Sequence, residues 1–220
     1  MKKELKKRII TSIILVALVL NCLFISNVSW LFLLIIVSLI CWFEFINLVK
    51  KIWKKEIKKI PPIVLSFFFL CLFLYSGYIL KIQGSERLVL FILGVCIFSD
   101  IGGYIIGKSI GGKKLTKISP NKTISGSFGS FLFSLFPLGI LMILGLQLNF
   151  QEINPSDKHI LYCLLISLSC QLGDLIISYF KRLAKVKDTG SILPGHGGML
   201  DRIDGIIFAI PSVIIIQPLV

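Results

Sequence analysis

Acidic residues, histidines and long polar stretches are all scarce in this chain. Against 24 Lys and Arg stand only 11 Asp and Glu, and 220 residues hold two histidines, His159 and His196. His159 begins an apolar segment expected on the other side of a membrane from His196, which counts against a paired-histidine metal site. The six cysteines, Cys22, Cys41, Cys71, Cys96, Cys163 and Cys170, show no C-x-x-C spacing and lie inside apolar stretches. They read as apolar filler rather than as a metal or disulfide framework. There is no internal repeat, no low-complexity linker, and no polar stretch long enough to make a soluble domain.

What remains is apolar. Hydrophobic residues make up 55% of the chain and its mean hydropathy is +0.91, above the roughly 45–50% apolar share of soluble domains. The bilayer is therefore the expected solvent. A net charge of +13 sits in short runs between apolar stretches, as at lipid headgroups, so nucleic acid is not an expected partner and membrane lipid is. Five basic residues in 1–8 precede an apolar run, as in a signal peptide. That run is long and lacks an A-x-A-like cleavage site, so a retained first helix is expected.

About 20 mostly apolar residues cross a bilayer. Seven segments meet that criterion: 9–26, 29–49, 61–80, 88–107, 125–148, 159–180 and 205–220. The last is short and holds Pro211 and Pro218. With the N-terminus in the cytoplasm, segments 1–8, 50–60, 108–124 and 181–204 carry five, six, five and five basic residues, and the other side carries only Lys81, Arg87 and Lys158. Such asymmetry is a strong positive-inside signal. The expected fold is an all-α, polytopic integral membrane protein: a single transmembrane domain over 1–220 with about seven helices, the N-terminus cytoplasmic and the C-terminus outside.

Three acids interrupt the apolar segments: Glu44, Asp100 and Asp174. Each is six or seven residues from the cytoplasmic end of its segment, about 10 Å deep at roughly 1.5 Å per residue. One acid in a span costs on the order of 3 kcal/mol on insertion scales, so three at one depth suggest a polar cavity. For Glu44, interhelical hydrogen bonding explains the position equally well. Ser167, Gln171, Asp174 and Ser178 recur at helical spacing and share one face, which Lys181 continues into the next loop. Gly103, Gly107 and Gly111 form small-x-x-x-small steps that invite a close helix neighbour.

Two cytoplasmic loops, 108–124 and 181–204, hold Gly, Pro, Asp, His and hydroxyl residues beyond what anchoring needs. In the second, Lys181, Arg182, Lys187 and Arg202 can neutralise phosphates, and Asp188, Asp201 and Asp204 can offer hard oxygen ligands to Mg²⁺. Pro194-Gly195-His196-Gly197-Gly198 is too glycine-rich for a helix, and its amides can approach phosphate oxygens. The combination reads as a polyanion-and-metal site.

From Ser178 to Asp204 the chain also resembles the signature of the phosphatidate cytidylyltransferase (CDP-diacylglycerol synthase) family. That signature runs Ser-x-φ-Lys-Arg, four residues, Lys-Asp, then Pro-x-His-Gly-Gly-φ-x-Asp-Arg-φ-Asp, with φ apolar, and every fixed position is filled. Gly173-Asp174-Leu175 is similar to the family's Gly-Asp-Leu. Ser119-Pro120-Asn121-Lys122-Thr123-Ile124-Ser125-Gly126 resembles Ser-Pro-x-Lys-Thr-x-Glu-Gly, and Gly103-Tyr104-Ile105-Ile106-Gly107-Lys108 resembles Ala-Tyr-x-x-Gly-Arg. Ser125 and Lys108 depart from the usual Glu and Arg. The matches cover roughly the second half of the chain.

The resemblance implies transfer of CMP from CTP to phosphatidate, giving CDP-diacylglycerol and pyrophosphate, the first committed step of CDP-diacylglycerol-dependent phospholipid synthesis. It implies Mg²⁺, alone or joined by a monovalent cation, with Asp174 and Asp201 as its ligands and Asp100 and Asp204 as weaker candidates. Lys122, Lys181, Arg182, Lys187 and Arg202 would hold phosphates. Ser119 and Thr123 would donate hydroxyls beside Pro120; Asp188, His196, Gly197 and Gly198 complete the expected site. The implied setting is a bacterial plasma (inner) membrane with the site facing the cytoplasm, and a homodimer is compatible with the family. The neighbouring enzyme reading is a CTP-dependent polyprenol kinase or related lipid cytidylyltransferase. From another class comes a small ion-coupled transporter, which would need neither the long charged loop nor its signature.

Overall fold

A computed structural model of the chain describes residues 2–116, 119, 122–144 and 157–216. Seven helices occupy them: α1 (Lys2–Ile25), α2 (Asn27–Ile52), α3 (Glu56–Ile110), α4 (Ile124–Phe133), α5 (Phe136–Ile143), α6 (Asp157–Leu183) and α7 (Leu200–Ile216). Strands are absent among the described residues, where only two isolated bridges occur. Six segments are long and apolar enough to cross a membrane: 5–25, 27–52, 56–83, 86–110, 124–143 and 158–183. This is an all-α membrane protein.

The helices differ from the expected segments in four places. A connection was expected over 81–87, but helical backbone runs through it, making α3 55 residues long. At about 1.5 Å per residue that is about 82 Å, more than twice a hydrocarbon core of about 30 Å, so α3 counts as two consecutive spans. The basic loop expected over 50–60 shrinks to 53–55, because α3 already begins at Glu56. The single helix expected over 125–148 breaks at Ser134 and Leu135, just before Pro137, which lacks the N–H that the continued helix would need. Residues 145–148 of that segment lie outside the described ones. Finally, α7 begins at Leu200 rather than 205, placing Asp201, Arg202 and Asp204 on its first turns instead of in a loop. Residues 217–220 are outside the description.

By its contacts the chain divides into two compact units, 1–78 with 180–204, and 79–179 with 205–220. In the first, Ser26 and Ser29 form a capping box that starts α2. The Trp30 indole donates to the Gly77 carbonyl at 2.9 Å in a buried setting. Phe45 meets Phe180 edge-on at 5.0 Å. These contacts fix α2 and the start of the 181–199 loop within one body.

In the second unit, glycines set the spacing of α3 and α4. A Cβ on Gly102 would lie 2.5 Å from that of Phe133, and one on Gly129 would lie 2.6 Å from the Gly102 carbonyl oxygen. Gly103 and Gly107 face Ser130 and Gly126 in the same way, which matches the close approach their spacing predicts. Gly111 does not take part: it has open space around it and a φ of +64°, and it ends α3 in the left-handed region. The buried hydroxyls of Ser99 and Ser167 meet at 2.8 Å, joining α3 to α6.

Candidate active site

In the second unit the polar face of α6 is used residue by residue. Gln171 accepts from the Ser127 hydroxyl at 2.5 Å and donates to Ser167 at 3.2 Å. One turn on, Asp174 accepts from Ser178 at 3.2 Å through Oδ1 and pairs with Lys122 at 2.5 Å through Oδ2. Asp100 lies within electrostatic reach of both Asp174 and Lys122, and the Cys170 thiol is 4.0 Å from its Oδ1.

Local folding presents Lys122. The Leu115 amide donates to the Lys122 carbonyl at 2.8 Å and the Ile124 amide to the Lys113 carbonyl at 3.0 Å, closing the loop after α3 like a hairpin. Thr123 then caps α4, its hydroxyl oxygen accepting from the Gly126 amide at 3.0 Å. Ser125, where the resembling motif has Glu, donates to the Gly111 carbonyl at 2.5 Å and touches the Thr123 hydroxyl at 3.0 Å. Thr123 and Ser125 therefore help build the loop, and the Thr123 hydroxyl, expected as a phosphate donor, here accepts from a backbone amide. Ser119 contributes its backbone, accepting from the Lys122 amide at 3.1 Å. Pro120 lies outside the described residues. Lys108 turns back onto Tyr104 of its own helix, 5.6 Å above the ring.

The first unit gathers the signature loop. Asp201 is its centre: Oδ1 pairs with Lys181 at 2.8 Å, and Oδ2 accepts from the Thr189 amide at 2.7 Å and the Gly198 amide at 3.0 Å, with the Thr189 hydroxyl, whose one proton it shares with Glu44, 3.0 Å away. Burial alone would push the Asp201 carboxyl pKa up, but the Lys181 ammonium and the two amides outweigh it and hold it below the ordinary carboxylate value.

Pro194 and Gly195 form a tight turn in which the His196 amide donates to Leu193 at 2.9 Å. A proline followed by a glycine at φ +78° is the pattern a type II turn requires. The Arg202 guanidinium donates twice to the His196 carbonyl, at 3.1 and 2.7 Å, tying α7 to this turn. From α1, Ser12 meets the His196 Nε2 at 3.2 Å and Thr11 donates to the Pro194 carbonyl at 3.1 Å.

Beside the turn is a cavity of about 330 Å³ lined by Arg8, Lys187, Asp188, Gly195, His196, Gly197 and Arg202. Three cationic side chains around one small cavity suit a phosphorylated anion. Arg182 is exposed, and Asp204 lies one turn along α7 from Asp201.

Of the expected residues, Lys122, Asp174 and Asp100 meet in the second unit, while Lys181, Asp201 and Gly198 meet in the first, next to the cavity lined by Lys187, Asp188, His196, Gly197 and Arg202. Sequence reasoning left out Arg8, whose only signal was membership of a basic N-terminal run, and also Ser12 and Thr189. It also left Glu44 without a role. The Glu44 carboxylate, 3% exposed, accepts from the Thr189 hydroxyl at 2.9 Å and from the Met199 and Leu200 amides at 3.0 and 2.9 Å.

Among the described residues, no three His, Cys, Asp or Glu side chains converge as a ready metal cage. The acids are nonetheless hard oxygen donors, and Lys122 and Lys181 hold a cation's place against Asp174 and Asp201. One or two carboxylates completed by phosphate oxygens and water is the usual coordination of Mg²⁺, so the donor set fits that ion.

The helices and the site together make this a multi-pass helical membrane protein with lysine-paired carboxylates and a basic cavity. The model of the cytidylyltransferase family matches residues 49–219, and the chain belongs to that family. It is 44% identical over 135 residues to a phosphatidate cytidylyltransferase of Staphylococcus epidermidis, covering 60% of this chain and 50% of the relative. The Bacillus subtilis phosphatidate cytidylyltransferase is 41% identical over 143 residues, covering 61% of this chain and 50% of the relative. An Escherichia coli protein called uncharacterized protein YnbB is 42% identical over 132 residues, 60% of this chain and 42% of its own length. The chain spans about half the length of the curated relatives it matches.

Proposed function

We propose that the chain catalyses transfer of CMP from CTP to phosphatidate, forming CDP-diacylglycerol and pyrophosphate. The observation that carries this reading is Asp201, held by Lys181, Thr189 and Gly198 next to a cavity rich in Lys and Arg. The names of the relatives support the choice of substrates.

A phosphate monoester with second pKa near 6 is largely dianionic at neutral pH, so the nucleophile needs no general base. A phosphatidate oxygen attacks the α-phosphorus, the bond to the bridging oxygen of the β-phosphate breaks, and pyrophosphate leaves with those electrons. The barrier is mutual repulsion of the anions and charge gathering on the leaving group. Lys187, Arg202 and Arg8 around the cavity would hold phosphates, with Arg182 adding positive charge nearby. Lys122 and Lys181 would pass from their carboxylates to phosphate oxygens. Asp174 in one unit and Asp201 in the other would each offer carboxylate oxygens to Mg²⁺, which when bound would offset charge on the pyrophosphate. Asp188 and Asp204 would tune the field, and His196 would hold the turn.

In this reading the part of α7 that follows Asp204 begins a seventh span, the N-terminus is cytoplasmic and the C-terminus outside. The loops 108–124 and 181–204 then face CTP in the cytoplasm of a bacterium, phosphatidate stays in the plasma membrane, and a homodimer is compatible with this arrangement.

Purified protein given Mg²⁺, CTP and phosphatidate in mixed micelles should release pyrophosphate and form CDP-diacylglycerol. Asp201→Asn should lower turnover on the order of 100-fold, the scale of losing one group aimed at transition-state charge. Release of CDP and a phosphorylated polyprenol instead would assign a kinase.

A further inference from the structure

Glu44 stands outside the family match at 49–219 and outside every motif quoted above, yet Thr189 in the middle of the signature loop and Met199 and Leu200 near its end converge on it. We propose that Glu44 is a positioning residue for the reaction, an anchor within the apolar α2 that fixes where the loop carries Asp201 and the cavity. The inference rests on the function proposed above.

Three observations carry it. First, the Met199 and Leu200 amides that Glu44 receives open α7, where N–H groups have no partner inside the helix and where a negative charge is favoured. Second, the Thr189 hydroxyl touches Oε2 of Glu44 at 2.9 Å and Oδ2 of Asp201 at 3.0 Å, so the anchor and the site acid share one side chain. Third, the loop has been emptied around this carboxylate. A Cβ on Gly190 would lie 2.5 Å from Glu44 Oε1, with no other residue's atoms as near, and a Cβ on Gly198 would meet the Thr189 hydroxyl first and lie 2.5 Å from Glu44 Oε2. Two glycines of one loop, eight positions apart and both facing one acid, are not needed by an acid that only joins helices.

Glu44→Gln keeps the shape but places an amide NH₂ against the amide N–H of either Met199 or Leu200 in each of its two orientations. The test uses the full chain in mixed micelles, read by amide hydrogen exchange and by steady-state turnover with CTP and phosphatidate. In Glu44→Gln, amides of 189–200 should exchange at least tenfold faster while those of α2 keep wild-type rates, and kcat should fall at least tenfold. Gly190→Ala, which presses on the same carboxylate from the loop, should reproduce the pattern. Added to Glu44→Ala it should cost nothing more.

Unchanged exchange over 189–200, equal acceleration along α2, or accelerated exchange with normal kcat would each overturn the proposal. A wild-type protein that releases no pyrophosphate would instead overturn the proposed reaction, and the exchange pattern would still judge the anchor.

Discussion

Lys122 and Asp174 form an ion pair at 2.5 Å that joins the loop before α4 to the polar face of α6. Both side chains keep part of their surface, 26% and 32%, so the pair is not sealed inside the protein. Its weight falls on chemistry. Lys122→Ala should leave the unfolding midpoint in micelles nearly unchanged and lower turnover about 100-fold, with Lys122→Arg recovering part of it. A matching fall in stability and turnover would make the pair structural.

Thr123 caps α4, so Thr123→Ala should cost about 1 kcal/mol of stability while Thr123→Ser stays near wild type. Thermal unfolding of the two variants side by side checks this. The comparison also tests whether the hydroxyl serves the helix or a substrate, because a substrate role would lower turnover in Thr123→Ala by more than the stability loss explains.

Close packing of α3 on α4 makes Gly129→Ala destabilising by about 1–3 kcal/mol, since the new methyl meets the Gly102 backbone and the Ile106 side chain. Gly139 lies in α5 with nothing within 4 Å of an added Cβ. Gly139→Ala should therefore be neutral or slightly stabilising. Unfolding midpoints of both variants decide the matter.

Asp201 has a folded-state pKa below its ordinary value. Its contribution to stability is therefore present above the unfolded-state value of about 3.9 and is lost as pH falls through the lower folded-state value. Amide protection over 189–198 should persist down to about pH 4 and fade only in stronger acid. Fading already near pH 5 to 6 would mean that Lys181 and the two amides do not hold the carboxylate ionised.

The parts of this architecture that follow from local rules were legible in the sequence. Apolar run length located six spans, and helical spacing put Ser167, Gln171, Asp174 and Ser178 on one face, where all four hydrogen-bond or pair. Local rules also carried information that went unread. Pro137 breaks the segment after 125, and Asp201 and Asp204 follow the glycines closely enough to mark the first turns of α7. What periodicity could not supply was the partner of each polar group. Glu44 reaches Leu200 across 156 positions and Lys122 meets Asp174 across a whole helix pair, and no window along the chain contains both ends.

That separation sets an order in time. Ribosomes make α2 well before Thr189, Met199 and Leu200 exist, so Glu44 enters the membrane without the three donors that surround it in the finished molecule. A bare acid in a span costs on the order of 3 kcal/mol, and that debt stands until about 150 further residues have been synthesised. Helix α2 must therefore be apolar enough to stay inserted while it waits, and its release from that strain coincides with closure of the signature loop.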